Sequence, residues 1–201
     1  MYVCFEGIDG AGKSTLIAAV AQVYAARGKK VQVTREPGGS EFGGSIRQVV
    51  QHMEAPLDSR AEFLLYAADR AQHYAQCVHP AQAQGVLLLS DRSFISSLAY
   101  QGYGRGLDLD VLKTVNRWAL HNTLPDLFVY LKLSPEKAFE RLHKRAEPLT
   151  RFETEKHSFF QKVAAGYDQL FTEYGPVLIV DAQQSPDAVL NAVITYIDAH
   201  A

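Results

Sequence analysis

Short, mostly apolar runs recur along the chain, and segments with helical spacing separate them. The runs cover Tyr2–Glu6, Lys30–Arg35, Val86–Ser90, Leu127–Lys132 and Val177–Asp181. Runs of this length are typical of strands that are buried on both faces of a parallel sheet. The pattern therefore predicts a five-stranded parallel sheet.

The intervening segments carry the signals that begin and end helices. Asp58 is a good N-cap, Ser134-Pro135 places a cap before a first-turn proline, and Gly28 suits a C-cap. The predicted helices are Lys13–Arg27, Ser59–Ala83, Glu136–Lys144, Thr154–Tyr174 and Ser185–Ala199. Alternating strands and helices predict a doubly wound, three-layer α/β/α fold. No repeat, low-complexity tract or linker interrupts the pattern, so we expect one domain over residues 1–201.

Composition and charge narrow the classes of partner. The 20 Lys and Arg residues nearly balance the 22 Asp and Glu residues. No global positive field would therefore recruit nucleic acid or an acidic membrane. Cys4 and Cys77 lack metal-like spacing and read as free thiols of a reducing compartment. The apolar runs are far shorter than a membrane span, and we expect a soluble, cytoplasmic protein.

The strongest local signal is the segment Gly7-Ile8-Asp9-Gly10-Ala11-Gly12-Lys13-Ser14. It matches G-x-x-x-x-G-K-[ST] and lies between a predicted strand and a predicted helix, as a phosphate-binding loop requires. The loop backbone would direct N–H groups at phosphate beside a helix N-terminus. Lys13 would reach the β- and γ-phosphates, and the Ser14 hydroxyl would bind Mg²⁺. The sequence therefore predicts a P-loop NTPase-type fold.

P-loops occur in switches, motors and kinases, and the rest of the chain favours a kinase. No N-K-x-D base-reading motif is present, and the chain is short for a motor. Arginines and aromatic residues recur at strand ends and on helix faces, where a second phosphorylated substrate would lie. Tyr66 and Arg70 are four residues apart and share one face of a predicted helix. They can offer a ring to a base and a guanidinium to a phosphate.

Several collinear segments resemble the thymidylate kinase family. They are Phe5–Thr15, Thr34–Gly39, Leu64–His73, Ser90–Ser93, Ser96–Gly102, Gly104–Gly106, Pro125-Asp126 and Asp181-Ala182. The resemblance implies direct transfer of the γ-phosphoryl group from Mg-ATP to dTMP, by a homodimeric enzyme of dTTP biosynthesis.

The resemblance also implies roles for individual residues on the ATP side. Arg141 would pack on the adenine, and Asp91 would orient Mg²⁺ together with Ser14. Lys13, Arg92 and Asp9 would be catalytic. The implied ATP-binding set is Gly7, Ile8, Asp9, Gly10, Ala11, Gly12, Lys13, Ser14, Thr15, Arg141 and Ala182.

On the dTMP side, the resemblance places Tyr66 against the thymine ring and Arg70 at the phosphate or base edge. Asp9 would meet the sugar 3′-hydroxyl, and Arg92 would bridge the donor and acceptor phosphates. Tyr100 would crowd the sugar. The full implied dTMP set is Asp9, Glu36, Pro37, Arg47, Tyr66, Arg70, Arg92, Ser96, Ser97, Tyr100 and Gln101. The family usually has Phe at the position of Tyr66.

Residues 142–153 form a basic stretch that reads as a short lid. The chain has Gly10 where one class of the family carries a P-loop arginine, and it therefore resembles the class whose lid supplies the arginines. Arg145 and Arg151 are the implied lid cations. A charge run is otherwise a solvated face, and that interpretation stays open here.

Simpler structural roles also stay open for single residues. Tyr66 fits a core aromatic, Asp91-Arg92 a surface ion pair, Asp9 a turn cap, and Arg47 a solvated helix charge. As a whole, the chain also fits a kinase for another nucleotide or nucleoside, or a P-loop protein that senses nucleotide without turnover.

Overall fold

A computed structural model describes residues 1–52, 56–144 and 150–201. Five parallel strands form one sheet in the order β2-β3-β1-β4-β5. The strands are β1 (Tyr2–Glu6), β2 (Val31–Arg35), β3 (Leu87–Asp91), β4 (Leu127–Lys132) and β5 (Val177–Asp181). The predicted five-stranded parallel α/β fold is confirmed.

Helices connect the strands in the described part of the chain. They are α1 (Lys13–Ala26), α2 (Glu41–His52), α3 (Ser59–His73), α4 (His79–Ala83), α5 (Phe94–Ser97), α6 (Leu109–Ala119), α7 (Pro135–Lys144), α8 (His157–Leu170) and α9 (Pro186–Asp198). A π-helical turn, Tyr74–Val78, joins α3 to α4, and a second, Leu98–Gly104, extends α5. The predicted helix Ser59–Ala83 is therefore continuous.

The sheet brings five strand ends to one edge. Because β1 lies between β3 and β4, the chain winds away from β1 in both directions, and the crevice beside β1 is where this architecture binds ligands. Arg35, Asp91 and Asp181 are the last residues of β2, β3 and β5. Side chains far apart in sequence therefore meet at the carboxyl edge.

The helices differ from the predictions mainly in four places. Helix α2 begins at Glu41, before Gly43 and Gly44 rather than after them, and a Cβ on Gly43 would overlap the Asp69 carboxylate. Close packing of α2 on α3 therefore requires glycine inside a helix. The segments 94–104 and 109–119 are helical although no helix was predicted there. Helix α8 begins at His157, not at Thr154, because residues 151–155 form turns.

The core lies on both faces of the sheet. Every side chain of β1 is buried, and β4 is buried except at Lys132. Burial on both faces explains why these strands read as continuous apolar runs rather than as an alternating pattern. Of the helices in the described ranges, none combines the length and apolarity that a membrane crossing requires.

Asp69 of α3 is a buried carboxylate with few hydrogen-bond donors around it. Its Oδ1 accepts a hydrogen bond from the Gly38 amide at 3.0 Å, whereas Oδ2 meets no donor in the described part of the chain. Burial, followed by the charge of Glu36, raises the pKa of Asp69 to about 6. The folded chain therefore holds this proton more tightly than the unfolded chain, and the fold loses stability as pH rises from about 4 to about 6.

Replacing Asp69 with Asn is expected to raise the free energy of unfolding by about 1–3 kcal/mol at pH 8, and by far less near pH 4, because asparagine never ionises. Urea unfolding at the two pH values measures the difference. The exposed Asp187→Asn is the control. An equal effect of Asp69→Asn at both pH values would contradict the assignment.

Candidate active site

One large cavity opens at the carboxyl edge of the sheet. Its volume is about 920 Å³. Of the residues implied by the sequence, it is lined by Asp9, Gly10, Gly12, Lys13, Ser14, Thr15, Glu36, Pro37, Arg47, Tyr66, Arg70, Asp91, Arg92, Ser96, Ser97, Tyr100, Gln101 and Arg141. The structure therefore brings together residues of the predicted ATP set and of the predicted dTMP set around a single space.

The phosphate-binding loop begins where β1 ends. Gly7 has φ +138°, and a Cβ there would lie 2.6 Å from the Leu131 carbonyl oxygen. Only glycine fits this turn. Gly10 and Gly12 also have positive φ, and α1 starts at Lys13. The local sequence thus produces a sharp loop that leads into a helix N-terminus, where an anion is favoured.

Lys13 lies against the loop rather than in solvent. It is only 6% exposed, and its ammonium donates to the Gly7 and Ile8 carbonyl oxygens at 3.0 and 3.1 Å. Burial, and then the charge of Arg92, lowers the pKa of Lys13. The lysine cation is therefore held beside the phosphate-binding backbone by two oxygens of the same loop.

Ser14, in the first turn of α1, meets Asp91, the last residue of β3. The Ser14 hydroxyl donates to Asp91 Oδ2 at 2.8 Å, and Asp91 Oδ1 is a buried oxygen to which none of the described residues donates. A hydroxyl beside a carboxylate with an unused oxygen suits Mg²⁺, which takes few protein ligands and several phosphate or water oxygens. In the described ranges, no cluster of three or more His, Cys, Asp or Glu residues offers a self-sufficient metal site.

Arg92 is the centre of the polar network. Its guanidinium donates to the Gly7 carbonyl, Ser96 Oγ and Tyr167 OH, each at 3.0 Å, and to Asp9 Oδ1 at 2.6 Å. The backbone of Arg92 has φ +75°, a strained conformation for a non-glycine residue. Arg92 therefore faces inward across the cavity, and the surface ion pair considered for Asp91-Arg92 is not formed.

Asp9 is ionised because cations surround it. Burial alone would raise its pKa, but Arg92, Lys13 and the Tyr100 hydroxyl outweigh that effect and lower the pKa to about 2. Tyr100 OH donates to Asp9 Oδ2 at 3.0 Å. The carboxylate thus links the loop to Arg92 and Tyr100 instead of capping its own turn.

A second group of cations faces the loop. Arg47 of α2 donates to the Pro37 carbonyl at 3.0 Å and is half-buried. Burial, and then the charge of Arg35, lowers the pKa of Arg47, and Arg92 contributes in the same direction. Arg35 and Arg92 thus both repel Arg47, all three residues line the cavity, and an anion bound there would offset the repulsion. Arg35, Arg47 and Arg92 therefore form a candidate second phosphate site.

Buried hydrogen bonds fix the far end of the cavity. Arg70 Nε donates to Glu36 Oε2 at 2.8 Å, and the His73 ring nitrogen Nδ1 lies 2.9 Å from Glu36 Oε1. Arg70 also donates to Asn116 Oδ1 at 2.5 Å and to Ser97 Oγ at 3.1 Å. Burial would raise the pKa of Glu36, but Arg70 and His73 lower it. This network holds Arg70 rigidly at the cavity wall.

Tyr66 and Arg141 both line the cavity. Tyr66 is partly buried, and its ring centroid lies 6.2 Å from that of Phe152. Arg141 donates to the Gly10 carbonyl at 3.3 Å and to the Ala182 carbonyl at 2.7 Å. Arg141 thus joins α7, the phosphate-binding loop and the residue after β5, and the family resemblance implies that the adenine binds on this side.

Some implied residues lie outside the cavity wall. Gly7, Ile8 and Ala182 contribute carbonyl oxygens to Lys13 and Arg141, and Ala11 is buried in the core. Arg151 does not line the cavity, and its NH2 lies 3.6 Å from Glu62 Oε2. Arg145 lies outside the described residues. The lid roles of Arg145 and Arg151 therefore stay predictions.

Several residues of the wall were not predicted from the sequence. Arg35, Gln51, His52, Ser93, Leu142, Thr150, Phe152 and Glu153 also line the cavity. Arg35 carried a usable signal, because it ends a strand at the same edge as Asp91-Arg92. Leu142, Thr150, Phe152 and Glu153 lie in the stretch 142–153 that was predicted to be a lid, but no individual role was predicted for them.

A parallel sheet in this order, with a phosphate-binding loop after its central strand, defines the P-loop kinase class. The sequence model of the thymidylate kinase family matches residues 5–193. The chain is 43% identical to the thymidylate kinase of Solidesulfovibrio magneticus, over 96% of each chain. It is 41% identical to the thymidylate kinase of Halothermothrix orenii, over 94% of this chain and 92% of the relative.

A third relative extends this similarity. The chain is 39% identical to the thymidylate kinase of Bacillus licheniformis, over 98% of this chain and 95% of the relative. The chain belongs to the thymidylate kinase family.

Proposed function

We propose that this chain transfers the γ-phosphoryl group of Mg-ATP to dTMP and releases dTDP and ADP. The observation that carries the proposal is the pairing of two anion sites in one cavity. The phosphate-binding loop with Lys13 faces the guanidinium cluster of Arg35, Arg47 and Arg92. A nucleotide sensor needs one phosphate site, whereas a nucleotide kinase needs a donor site and an acceptor site within transfer distance.

The mechanism is a direct in-line transfer without a covalent enzyme intermediate. The acceptor phosphate is already largely ionised, so it needs little help from a general base. Lys13 neutralises charge on the transferred group, and Arg92 orients the two phosphates from its network with Asp9 and Tyr100. Catalysis is then positioning together with electrostatic stabilisation.

Ser14 and Asp91 would hold Mg²⁺, and the ion would supply positive charge to the phosphate oxygens during transfer. The Asp91 Oδ1 oxygen, which has no hydrogen-bond partner among the described residues, supports this assignment. The protein contributes by holding Ser14 and Asp91 in place beside the loop.

An ADP-release assay tests the proposal directly. The purified chain is incubated with Mg-ATP and, in separate reactions, dTMP, dUMP, dGMP and dCMP. We expect the highest kcat/KM with dTMP. Highest turnover with a different acceptor would establish a kinase for another nucleotide, and ATP binding without turnover of any acceptor would establish a sensor.

Tyr66 is proposed to stack on the thymine ring. Tyr66→Phe should change dTMP affinity little, and Tyr66→Ala should weaken it by about 1–3 kcal/mol, the scale of base–aromatic stacking. ATP affinity should stay unchanged. Calorimetric titration with each nucleotide separates the two effects. Equal losses for both nucleotides would mean that Tyr66 is a core residue and not a stacking residue.

We also propose a homodimer that uses an apolar face of α3 and α6. Trp118 is 82% exposed, and Val111, seven residues earlier on the same face of α6, is 58% exposed. Leu64, on the neighbouring α3, is 57% exposed. Neighbouring large apolar side chains in solvent mark a protein interface more often than scattered ones do.

Sedimentation of the Trp118→Asp variant tests this interface. We expect a shift from dimer to monomer, because a charge in an apolar interface core leaves an unpaired ion. Leu124→Asp, another exposed apolar position, is the control and should remain dimeric. A wild-type chain that sediments as a monomer would exclude the dimer.

A further inference from the structure

Glu62 is a buried carboxylate on α3 that does not line the cavity. Its Oε1 accepts hydrogen bonds from Gln101 Nε2 at 2.9 Å and from Arg105 Nε at 3.3 Å. Its Oε2 accepts from Arg105 NH2 at 3.3 Å. A buried charge is tolerated only with such partners, so Glu62 fixes Arg105 and Gln101 relative to α3.

Arg105 also holds the turn formed by residues 150–155. Its NH1 lies 2.5 Å from Glu155 Oε1, while its guanidinium lies 4.7 Å from the centroid of Phe159 and 5.6 Å from that of Phe152. Arginine suits this place because its planar group can bind two carboxylates and stack on rings at once. One side chain therefore joins α3, the turn and α8.

The turn supplies part of the cavity wall. Phe152 is 5% exposed, and its ring centroid lies 6.2 Å from that of Tyr66 and 5.8 Å from that of Tyr100. Residues 150–155 lie outside helices and strands, and the backbone hydrogen bond from Arg151 N to the Gln51 carbonyl, at 3.3 Å, anchors one end of this turn to α2. Side-chain contacts hold its other end, which carries Glu155. The contacts of Arg105 tie this turn to the acceptor end of the cavity.

We propose that Arg105 is a positioning residue for the acceptor nucleotide: by joining Glu62 to Glu155, it holds Phe152 in the wall beside Tyr66 and Tyr100. Arg105 itself does not line the cavity. The inference rests on the proposed function, because it requires the acceptor to bind at that wall.

A double-mutant cycle tests the inference. Arg105→Gln, Phe152→Leu and the double variant are compared for dTMP and ATP binding by calorimetry, and for KM and kcat in the ADP-release assay. Arg105→Gln should weaken dTMP binding about tenfold and change ATP binding by less than about twofold. Both changes disturb the same wall, so their effects should not add up. The dTMP affinity of the double variant should lie within about twofold of that of the weaker-binding single variant.

The control is Arg60→Gln, which removes an exposed arginine that pairs with its neighbour Asp58. It should leave both affinities unchanged. If Arg105→Gln does not fold, Arg105→Lys replaces it in the cycle, since it keeps a cation beside Glu62 but cannot bridge two carboxylates while stacking on the rings.

Multiplicative effects of the two substitutions would overturn the inference, as would equal weakening of dTMP and ATP. These outcomes are distinct from failure of the proposed function. A wild-type chain that turns over dTMP while Arg105→Gln binds it normally overturns only the role of Arg105. A wild-type chain that does not bind dTMP overturns both proposals.

Discussion

Replacing Lys13 with methionine is expected to lower kcat by about 10³-fold, because the ammonium neutralises charge that develops on the transferred phosphoryl group. Methionine retains the aliphatic stem and removes the charge. The ADP-release assay at saturating Mg-ATP and dTMP measures the loss. Lys137→Met, which removes an exposed lysine paired with Glu140, should keep wild-type turnover.

The fold of the Lys13 variant has to be checked separately. Lys13 is buried and binds two loop carbonyls, so its removal should cost about 1–3 kcal/mol of stability. Thermal unfolding measures that cost. A folded Lys13→Met variant whose kcat stays within about tenfold of wild type would remove Lys13 from the mechanism, because a charge-neutralising donor is worth more than that.

Arg92→Lys is expected to lower kcat/KM by about 10²–10³-fold although the charge is retained. The guanidinium of Arg92 binds five oxygens from a fixed position, whereas an ammonium has three donors on a flexible stem. The two phosphates would then lose their alignment as well as part of their charge stabilisation.

Kinetic constants separate this role from a structural one. A role in the transition state lowers kcat, whereas a purely structural anchor lowers the melting temperature and leaves kcat of the folded fraction unchanged. Arg27→Lys is the matched control, because Arg27 forms an exposed pair with Asp198. Wild-type kcat in the Arg92 variant would mean that Arg92 only supports Asp9 and Tyr100.

Arg92 and Arg151 differ in how far the sequence predicts their positions. Arg92 follows β3 directly, so its place at the sheet edge could be predicted once the strand was recognised. Its inward direction could not, because that depends on a positive φ and on Asp9, Ser96 and Tyr167. The role of Arg151 was implied by the resemblance alone and stays a prediction, and the 3.6 Å between its NH2 and Glu62 Oε2 was not foreseen.

The resemblance to thymidylate kinases implied most of the residues around the cavity, whereas the five strands, the phosphate-binding loop and the start of α3 could be predicted from local patterns in the sequence. These features have local causes: apolar runs make buried strands, glycines permit the turn at Gly7, and Asp58 caps α3. Residues that directly follow these strands must then lie at one edge, because parallel strands end on the same side of the sheet.

Long-range packing, in contrast, sets which distant side chains meet. It places Arg35 beside Arg47, and it joins Glu62, Arg105 and Glu155 behind the cavity. None of these contacts leaves a periodic or local trace in the sequence. Each exists because the fold brings separate elements together, and a buried charge is stable only where an opposite charge or a hydrogen bond meets it.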